Sequence, residues 1–321
     1  MDDMNRAFSL ETFPIPEKRN IVIFLLVLPI TWYLLWIASH SNIGMMLFAA
    51  WGYALLHNTV FSLLHEAVHG VFSKNGVRND LFGLLCSAAF PTSYTMQKIA
   101  HLGHHNRNRT DKELYDYYLP SESKSVRNIW MYGGNLFGLY WFMIPLSNLL
   151  ILIAPKFFVS DWFVHGPGKA LGFESYLEEI AHYSITRIWS ECLLALVYQL
   201  LLFYLLDLTW QGWLLCHWFF ALHWSALQYV DHAWSPRDVI NGAWNLKVLP
   251  VSRLVALNYH LHLAHHRNPQ VPWVYLPELV DPQEPYPAFW SIYATLWRGV
   301  RPAPPMLSPA LYPFRPHRRE E

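Results

Sequence analysis

Two long apolar runs without charged side chains, residues 21–39 and about 43–64, are separated by only a short polar turn. The first, IVIFLLVLPITWYLLWIAS, is about long enough to cross the ~30 Å hydrocarbon layer of a bilayer. Pro29 is compatible with this, because membrane helices tolerate proline kinks. A cleaved signal peptide is a poor match, since a second apolar run follows at once. The pair therefore predicts a hairpin of two membrane-spanning helices.

A second pair of apolar runs, about residues 188–206 and 209–230, lies on either side of Asp207 and predicts a second spanning hairpin. Neither hairpin turn contains Lys or Arg. Basic residues instead precede the first helix and follow the second: Lys18, Arg19, Lys74, Arg78, Lys98, Arg107, Arg109 and Lys112. The positive-inside rule then places both termini and all the long loops in the cytoplasm.

Residues 129–154 are apolar enough to span, but one crossing there would put later histidines on the opposite side from earlier ones. We therefore expect a re-entrant or interfacial hairpin that turns near Pro145. The stretch LFGLLCSAAFPTSY, from Leu81, is too short to span and is expected in the interface. The predicted fold is an all-α integral membrane protein with two transmembrane helical hairpins, which provide four spanning helices. Interfacial or re-entrant helices and a cytoplasmic histidine-rich helical cap complete it.

Composition agrees with a membrane protein, because only 14% of the residues are charged, against about 25% in ordinary soluble domains. Acidic and basic residues balance, so no nucleic-acid partner is expected. The three cysteines lie in apolar runs without a CxxC pair, which argues against a disulfide framework. We expect a cytoplasmic segment over residues 1–20, a single membrane domain over 21–300 and an extended Pro-rich cytoplasmic tail over 301–321.

The chain has seventeen histidines, which is unusual for so apolar a sequence. The first motif, LLHEAVHG, contains His65 and His69 at i,i+4 spacing, so that both project from one helical face. It matches the zinc-protease pattern H-E-x-x-H, in which Glu66 would be the catalytic base. A membrane zinc protease is therefore one hypothesis, and it leaves the remaining histidine motifs unexplained.

Two HxxHH motifs follow, HLGHH and HLAHH, and a helix presents all three histidines of each on one side. They consist of His101, His104 and His105, and of His262, His265 and His266. Such a motif is expected by chance roughly 0.05 times in a chain of this composition. Zinc enzymes typically use three protein ligands and an open position, so eight clustered imidazoles favour two metal ions over one zinc.

HxxxH, HxxHH and HxxHH, in this order around two predicted hairpins, resemble the signature of the membrane fatty-acid desaturase superfamily. Its relatives include hydroxylases, carotenoid oxygenases and acyl decarboxylases, and the resemblance covers roughly residues 20–300. It implies two iron ions held by a histidine-rich cap, with the eight motif histidines as ligands. Characterised acyl desaturases place a ninth histidine after the last membrane helix, where this chain has His232. Four residues earlier, Gln228 matches a position where the family can place an amide near a metal-bound water.

The chain also departs from the family pattern. Many acyl desaturases read NYHxxHH, whereas this chain reads NYHLHLAHH from Asn258. Only His262 gives HxxHH spacing, so we expect it to be the ligand. His260 and Asn258 are expected to lie next to the ligands without binding metal themselves. Glu66 and Asp231 are candidates to orient ligand imidazoles. No HPGG haem-binding signature is present, so electrons are expected from a separate ferredoxin, rubredoxin or cytochrome b5 type of protein.

The resemblance implies an O2-dependent oxidoreductase that attacks an unactivated C–H bond of a fatty acid or fatty-acyl substrate in the lipid bilayer. Desaturation is the leading expectation. Hydroxylation, and decarboxylation to a terminal alkene, use the same iron ligands and stay open. A non-enzymatic metal transporter or sensor would instead need histidines along the transmembrane path. Three histidines do lie within predicted spans, His57, His217 and His223, either as functional groups or in helix–helix hydrogen bonds.

Overall fold

The computed structural model describes residues 13–306, which are mostly helical. The helices are α1 (Glu17–His40), α2 (Ile43–Val68), α3 (Gly76–Ala89), α4 (Tyr94–Arg107), α5 (Lys124–Leu136), α6 (Leu139–Ile153), α7 (Pro155–Phe158), α8 (Asp161–Phe163), α9 (Glu174–Ile180), α10 (Ile185–Leu205), α11 (Trp210–Val230), α12 (Pro250–Val255), α13 (His262–Arg267) and α14 (Phe289–Tyr293). A π-helical turn at Val164–Gly168 and 3₁₀ turns at Leu276–Leu279 and Ala294–Arg298 connect some of them. Strands β1 (Tyr117–Tyr118) and β2 (Arg301–Pro302) pair in parallel. Most of the predicted N-terminal segment and Pro-rich tail lies outside the described residues.

Helices α1, α2 and α11 pack on one another at the centre of the bundle, with α10 and α3 beside them. In α1, Phe24, Leu28 and Leu35 are buried, whereas Val22 and Leu25 on other sides of the helix are exposed. An apolar residue set all around a helix is typical of a membrane span, because the outer face meets lipid and not water. The all-α membrane fold predicted from the sequence is confirmed.

Three helices in the described range are long and apolar enough to cross a membrane, namely α1, α2 and α10. The predicted fourth span, α11, is a helix of 21 residues packed against α1 and α2, but it is not among the three. Polar residues such as Gln211, His217 and His223 lower its mean hydropathy. These polar groups are accommodated because much of α11 is buried by protein.

The expected turn near Pro145 is wrong, since Pro145 lies inside α6 and the chain bends at Gly138. There α5 and α6 meet at 88°. Gly138 has φ of +72°, and a Cβ added to it would lie 2.8 Å from the backbone of Ala221 in α11. Glycine permits both this left-handed conformation and this close approach. The bent pair is a broken span or a re-entrant segment, so the re-entrant arrangement stays a prediction.

Three segments converge at the end of α2 to form a histidine-rich cap: α4, the turn after α11, and the stretch from Trp244 to the end of α13. The last two are joined by hydrogen bonds, because the Trp244 amide donates to the Asp231 carbonyl and Trp244 Nε1 donates to the Ala233 carbonyl. Within the third segment, the Leu246 amide donates to the His260 carbonyl, and the Asn245 side chain accepts from the Ala264 amide. Side-chain and backbone hydrogen bonds thus fix the start of α13, which is too short to be stable alone.

Candidate metal centre

The first two histidines lie at the C-terminal end of α2, where His65 is in the last turn and His69 is the residue that ends the helix. The carbonyl of Ala67 in this last turn accepts hydrogen bonds from the Tyr94 hydroxyl (2.7 Å) and the Asn79 amide (2.9 Å). Buried partners for an end carbonyl stabilise a helix terminus that would otherwise be unsatisfied. The end of α2, and with it this histidine pair, is therefore held in place from α3 and α4.

Helix α4 carries the second motif and begins at a buried carboxylate from α10. Glu191 accepts hydrogen bonds from the Ser93 hydroxyl, the Thr95 amide (both 2.6 Å) and the Thr95 hydroxyl (2.9 Å). A negative charge at a helix N-terminus is favourable, because it meets unpaired amides and the positive end of the helix dipole. Helix α10, one of the candidate spans, thereby fixes where the helix with the second motif starts.

The imidazole nitrogens of the motifs converge in two groups of four, and within each group the candidate ligand atoms all lie within 4.8 Å of one another. The first group consists of His65, His69, His101 and His265. The second consists of His104, His232, His262 and His266. His105 lies between them: its Nε2 is 3.0 Å from that of His265 in the first group, and its ring centroid is 4.3 Å from that of His266 in the second. The structure thus brings together all nine predicted ligands.

Hydrogen bonds alone cannot satisfy the first group. The Nε2 atom of His101 faces those of His69 (2.8 Å) and His105 (3.1 Å), and the Nε2 of His265 faces those of His65 (3.1 Å) and His105 (3.0 Å). Each ring nitrogen of a neutral imidazole carries either one N–H or one lone pair, so a single Nε2 cannot form full hydrogen bonds with two other nitrogens. A metal cation, which binds the lone pairs of several nitrogens at once, fits this arrangement. An all-imidazole set of ligands suits iron, zinc or copper.

The protonation state of the rings also fits a metal. Burial lowers the pKa of His101, His262 and His266 well below the ordinary histidine value, and repulsion from neighbouring imidazoles lowers it further. Burial likewise lowers the pKa of His69, to about 3, with a further contribution from His104. Neutral imidazole is the form that binds metal ions. These four rings can therefore bind metal at neutral pH without first releasing protons.

A family model described as fatty acid desaturase matches residues 43–295, which run from the first residue of α2 to the 3₁₀ turn that follows α14. The chain belongs to the fatty acid desaturase family. No curated protein matches the chain. The matched range is narrower than the roughly 20–300 expected from the motifs and leaves out α1. Membership makes the protein an oxidoreductase of a family that acts on fatty acyl chains in membranes and typically uses iron.

His104 and His232 of this desaturase-family centre have hydrogen-bond partners on their outer ring nitrogens. His104 Nδ1 bonds to the carboxylate of Glu113, and His232 Nδ1 donates to the Gly242 carbonyl at 2.8 Å. Sequence reasoning missed Glu113, although it lies in the RNRTDKE segment that follows the second motif. Burial would raise the pKa of Glu113, but His104 and Arg107 outweigh this and lower it below the ordinary value.

The arginines of the same segment are engaged inside the protein. Arg109 is fully buried and forms a two-pronged ion pair with Asp116 (2.6 and 3.0 Å), and Arg107 pairs with Glu113 and Glu179. Asp116 also accepts from the Trp234 amide at 2.5 Å. The segment therefore ties the second motif to the turn that carries His232, which is a structural use of its positive charge.

Glu66 and Asn258, two of the predicted outer residues, hold the same tryptophan. Glu66 Oε2 accepts from the Trp273 amide at 3.1 Å, and Asn258 Nδ2 donates to the Trp273 carbonyl at 3.0 Å. The other oxygen of Glu66 is 3.9 Å from His65 Nδ1, which is too long for a hydrogen bond. Together these contacts brace the first motif against the segment after α13. Glu66 also lines a small cavity beside the first group.

The remaining predicted outer residues differ in how close they come to the imidazoles. Gln228 reaches them through Tyr259, whose hydroxyl bonds the amide (3.2 Å) and whose ring packs on His65 and His262, one from each group. The Asp231 carboxylate is fully buried and, among the described residues, has no side-chain hydrogen bond, so burial raises its pKa well above the ordinary value. His260 is buried but belongs to neither group.

Histidines within the helices have protein partners of their own. His217 bonds to the Tyr53 hydroxyl (3.0 Å) and to the Trp213 carbonyl (2.9 Å). His223 Nδ1 accepts from the Asn58 amide at 2.9 Å. His57 stacks on Tyr53 with ring centroids 4.7 Å apart. The sequence left open whether these histidines are functional groups or form helix–helix hydrogen bonds. His217 and His223 form helix–helix hydrogen bonds.

Proposed function

We propose that the protein is an O2-dependent diiron oxidoreductase that attacks an unactivated C–H bond of a fatty acyl chain, with desaturation as its reaction. The carrying observation is the pair of four-imidazole groups joined by His105, in a chain of the fatty acid desaturase family. The proposed ligands are His65, His69, His101, His104, His105, His232, His262, His265 and His266. When bound, two irons would supply the oxidising power that C–H bonds without acidity require.

The chain's own residues would position the imidazoles and exclude water from the site. Seven of the nine imidazoles are buried, and His266 is fully so, which excludes bulk water from a strongly oxidising site. Glu66, Asn258 and Tyr259 brace the first and third motifs against each other. Gly242 fixes the ring of His232 through its carbonyl. These contacts hold the imidazoles in position before any metal binds.

The membrane setting follows from the same proposal. Residues 21–300 would act as one membrane unit, in which the spans deliver an apolar chain from the bilayer to a cap on the cytoplasmic side. Both termini would also be cytoplasmic. Electrons would come from a separate ferredoxin, rubredoxin or cytochrome b5 type of protein. Hydroxylation and decarboxylation to a terminal alkene use the same proposed ligands and are separated from desaturation by the product.

A membrane zinc protease built on HEAVH is a poorer explanation. Its catalytic base would be Glu66, yet one oxygen of this side chain accepts a backbone hydrogen bond from Trp273. His65 and His69 converge with His101 and His265 from the other motifs, whereas an HExxH protease does not require those motifs. The two HxxHH motifs and His232 would then have no role in the reaction.

The test is metal analysis of the purified protein, followed by incubation with fatty acids, O2 and a reductase–ferredoxin pair, with products identified by mass spectrometry. We expect two irons per chain and a product lighter by two mass units. One added oxygen would assign hydroxylation, and an alkene one carbon shorter than the substrate would assign decarboxylation. One zinc and no iron would overturn the proposal.

A further inference from the structure

The two histidine groups differ in the charge that lies next to them. In the described part of the chain, His104 is the one member of the eight whose outer ring nitrogen is hydrogen-bonded to a carboxylate. The carboxylate belongs to Glu113, nine residues further along the chain, in the loop that follows α4. The inner nitrogen of the same ring, Nε2, is 3.2 Å from Nε2 of His266. The imidazole of His104 is thus held from behind while its other nitrogen faces the second group.

Several donors fix Glu113 in this position. The Tyr115 hydroxyl donates to Oε1 at 2.9 Å, and Arg107 Nε lies 3.6 Å from Oε2. Arg107 is in turn paired with Glu179 on α9. The Glu113 side chain is 14% exposed, whereas that of Glu179 is 39% exposed. A shielded carboxylate acts more strongly on a neighbouring ring than one screened by solvent.

Among residues 13–306, no imidazole of the first group is hydrogen-bonded to a carboxylate. The Glu66 carboxylate lies beside this group, but its Oε1 is 3.9 Å from His65 Nδ1 and its Oε2 accepts from the backbone amide of Trp273. Glu66 therefore braces the chain, whereas Glu113 is bonded directly to a ligand imidazole. A carboxylate on the outer nitrogen of a histidine fixes its tautomer and raises the basicity of its inner nitrogen.

We propose that Glu113 is a positioning residue that keeps His104 in the Nδ1-protonated form with Nε2 directed at the second group, and that its negative charge makes that group the more electron-donating of the two metal positions. The inference rests on the proposed function, because it assigns unequal character to two positions that must both hold iron. It predicts that loss of Glu113 acts on one position and spares the other.

Three variants of the full-length protein separate orientation from charge. Glu113→Gln keeps an acceptor oxygen for His104 but removes the charge, and Glu113→Ala removes both. Glu179→Gln is the matched control. It neutralises a carboxylate that pairs with the same arginine, Arg107, but is bonded to no imidazole among the described residues. Each variant is loaded with ⁵⁷Fe(II), its iron affinity is measured by competition with a chelator, and its Mössbauer spectrum is recorded.

We expect two quadrupole doublets of equal area in the wild-type protein and in Glu179→Gln. In Glu113→Gln one doublet should shift while the other stays. In Glu113→Ala one of the two irons should bind about 10- to 100-fold more weakly, as is typical for loss of an outer partner. If Glu113→Ala fails to fold, Glu113→Gln decides the question, since it preserves size and the hydrogen bond.

The outcomes distinguish this inference from the proposed function. Two irons in the wild-type protein with unchanged affinity and spectrum in both Glu113 variants would overturn the role of Glu113 and leave the function standing. Equal weakening at both positions would also overturn it, because the effect would then be general destabilisation. A wild-type protein that binds no iron, or a single zinc, would overturn the proposed function itself.

Discussion

Most histidines of the cap and most of those inside the helix bundle are buried, but the two sets have different partners. In the cap, ring nitrogens face other ring nitrogens, as in the 2.8 Å pair of His69 and His101. In the bundle, His217 is bonded to a tyrosine hydroxyl and a backbone carbonyl, and His223 to an asparagine amide. Burial therefore does not distinguish a metal site from a structural histidine. The identity of the atom opposite each nitrogen does.

The largest expected effect is from a cap substitution, His265→Ala. It removes a nitrogen that faces both His65 and His105, so iron at the first group should be lost. Product formation should fall by more than about 100-fold, since losing even an outer partner of a metal ligand commonly costs 10- to 100-fold. Iron content and turnover of the purified variant check this. A variant with two irons and normal turnover would remove His265 from the centre.

The second prediction concerns the metal-free protein, whose stability should fall as the pH is lowered from 7 to 5. Burial lowers the pKa of His69 to about 3 and that of His260 to about 4, so the unfolded chain takes up protons near 6.5 while the folded protein does not. Stability is then lost as the pH drops below 6.5. Asp231, whose pKa is raised by burial, acts in the opposite direction, but buried cap histidines outnumber it.

Thermal unfolding in detergent, after chelator treatment, measures this dependence. His260→Asn should show a shallower slope than the wild-type protein, because one buried histidine with a lowered pKa is removed. The hydrogen bond from the Leu246 amide is kept, since its acceptor is the backbone carbonyl of residue 260. An unfolding temperature that does not change between pH 7 and 5 would show that the cap rings are not held neutral.

A third prediction tests whether the cap depends on the backbone behind it. A Cβ at Gly242 would collide with the Asp238 carbonyl and the Arg109 side chain, and so displace the carbonyl that orients His232. Gly242→Ala should cost about 1–3 kcal/mol of stability, as overpacking does, and weaken iron binding at the second group. Gly166→Ala is the matched control, because nothing lies within 4 Å of its added Cβ. Equal effects of the two substitutions would contradict the prediction.

The smallest expected effect is from the bundle substitution His217→Phe. It removes the hydrogen bond with Tyr53, and buried polar contacts between membrane helices contribute about 0.6 kcal/mol on average. We expect a correspondingly small loss of stability, with two irons and near-normal turnover retained. Iron analysis and thermal unfolding of the same preparation decide it. Loss of iron would mean that the bundle and cap histidines are not separate sets.

Much of the cap could be predicted from sequence because the spacing of a motif has a direct geometric meaning. Histidines at i, i+3 and i+4 lie on one side of a helix, so each motif was expected to present its rings together. His232 carries no such spacing, and only the family resemblance identified it. Glu113 and Gly242 were missed, since an isolated acidic residue or glycine in a loop has no periodicity to mark its partner.

The bend between α5 and α6 was predicted at the wrong residue for a similar reason. Proline is the stronger signal in the sequence, so the turn was expected at Pro145, yet α6 continues through it. The actual corner needs the positive φ of Gly138 and its close approach to Ala221 on α11. A contact between residues more than eighty positions apart cannot be read from local composition.

The sequence by itself determined that this chain forms apolar helices with three histidine motifs, because hydropathy and helical spacing act locally. Only the tertiary structure decided how the histidines of each motif divide between the two groups. The second motif gives His101 to one group and His104 to the other, and the third is split between His265 and His262. Helical spacing fixes the side of a helix on which a ring lies, but its partners depend on how α2, α4 and α13 meet. That arrangement is set by distant contacts, such as Glu191 at the start of α4 and Trp273 between Glu66 and Asn258.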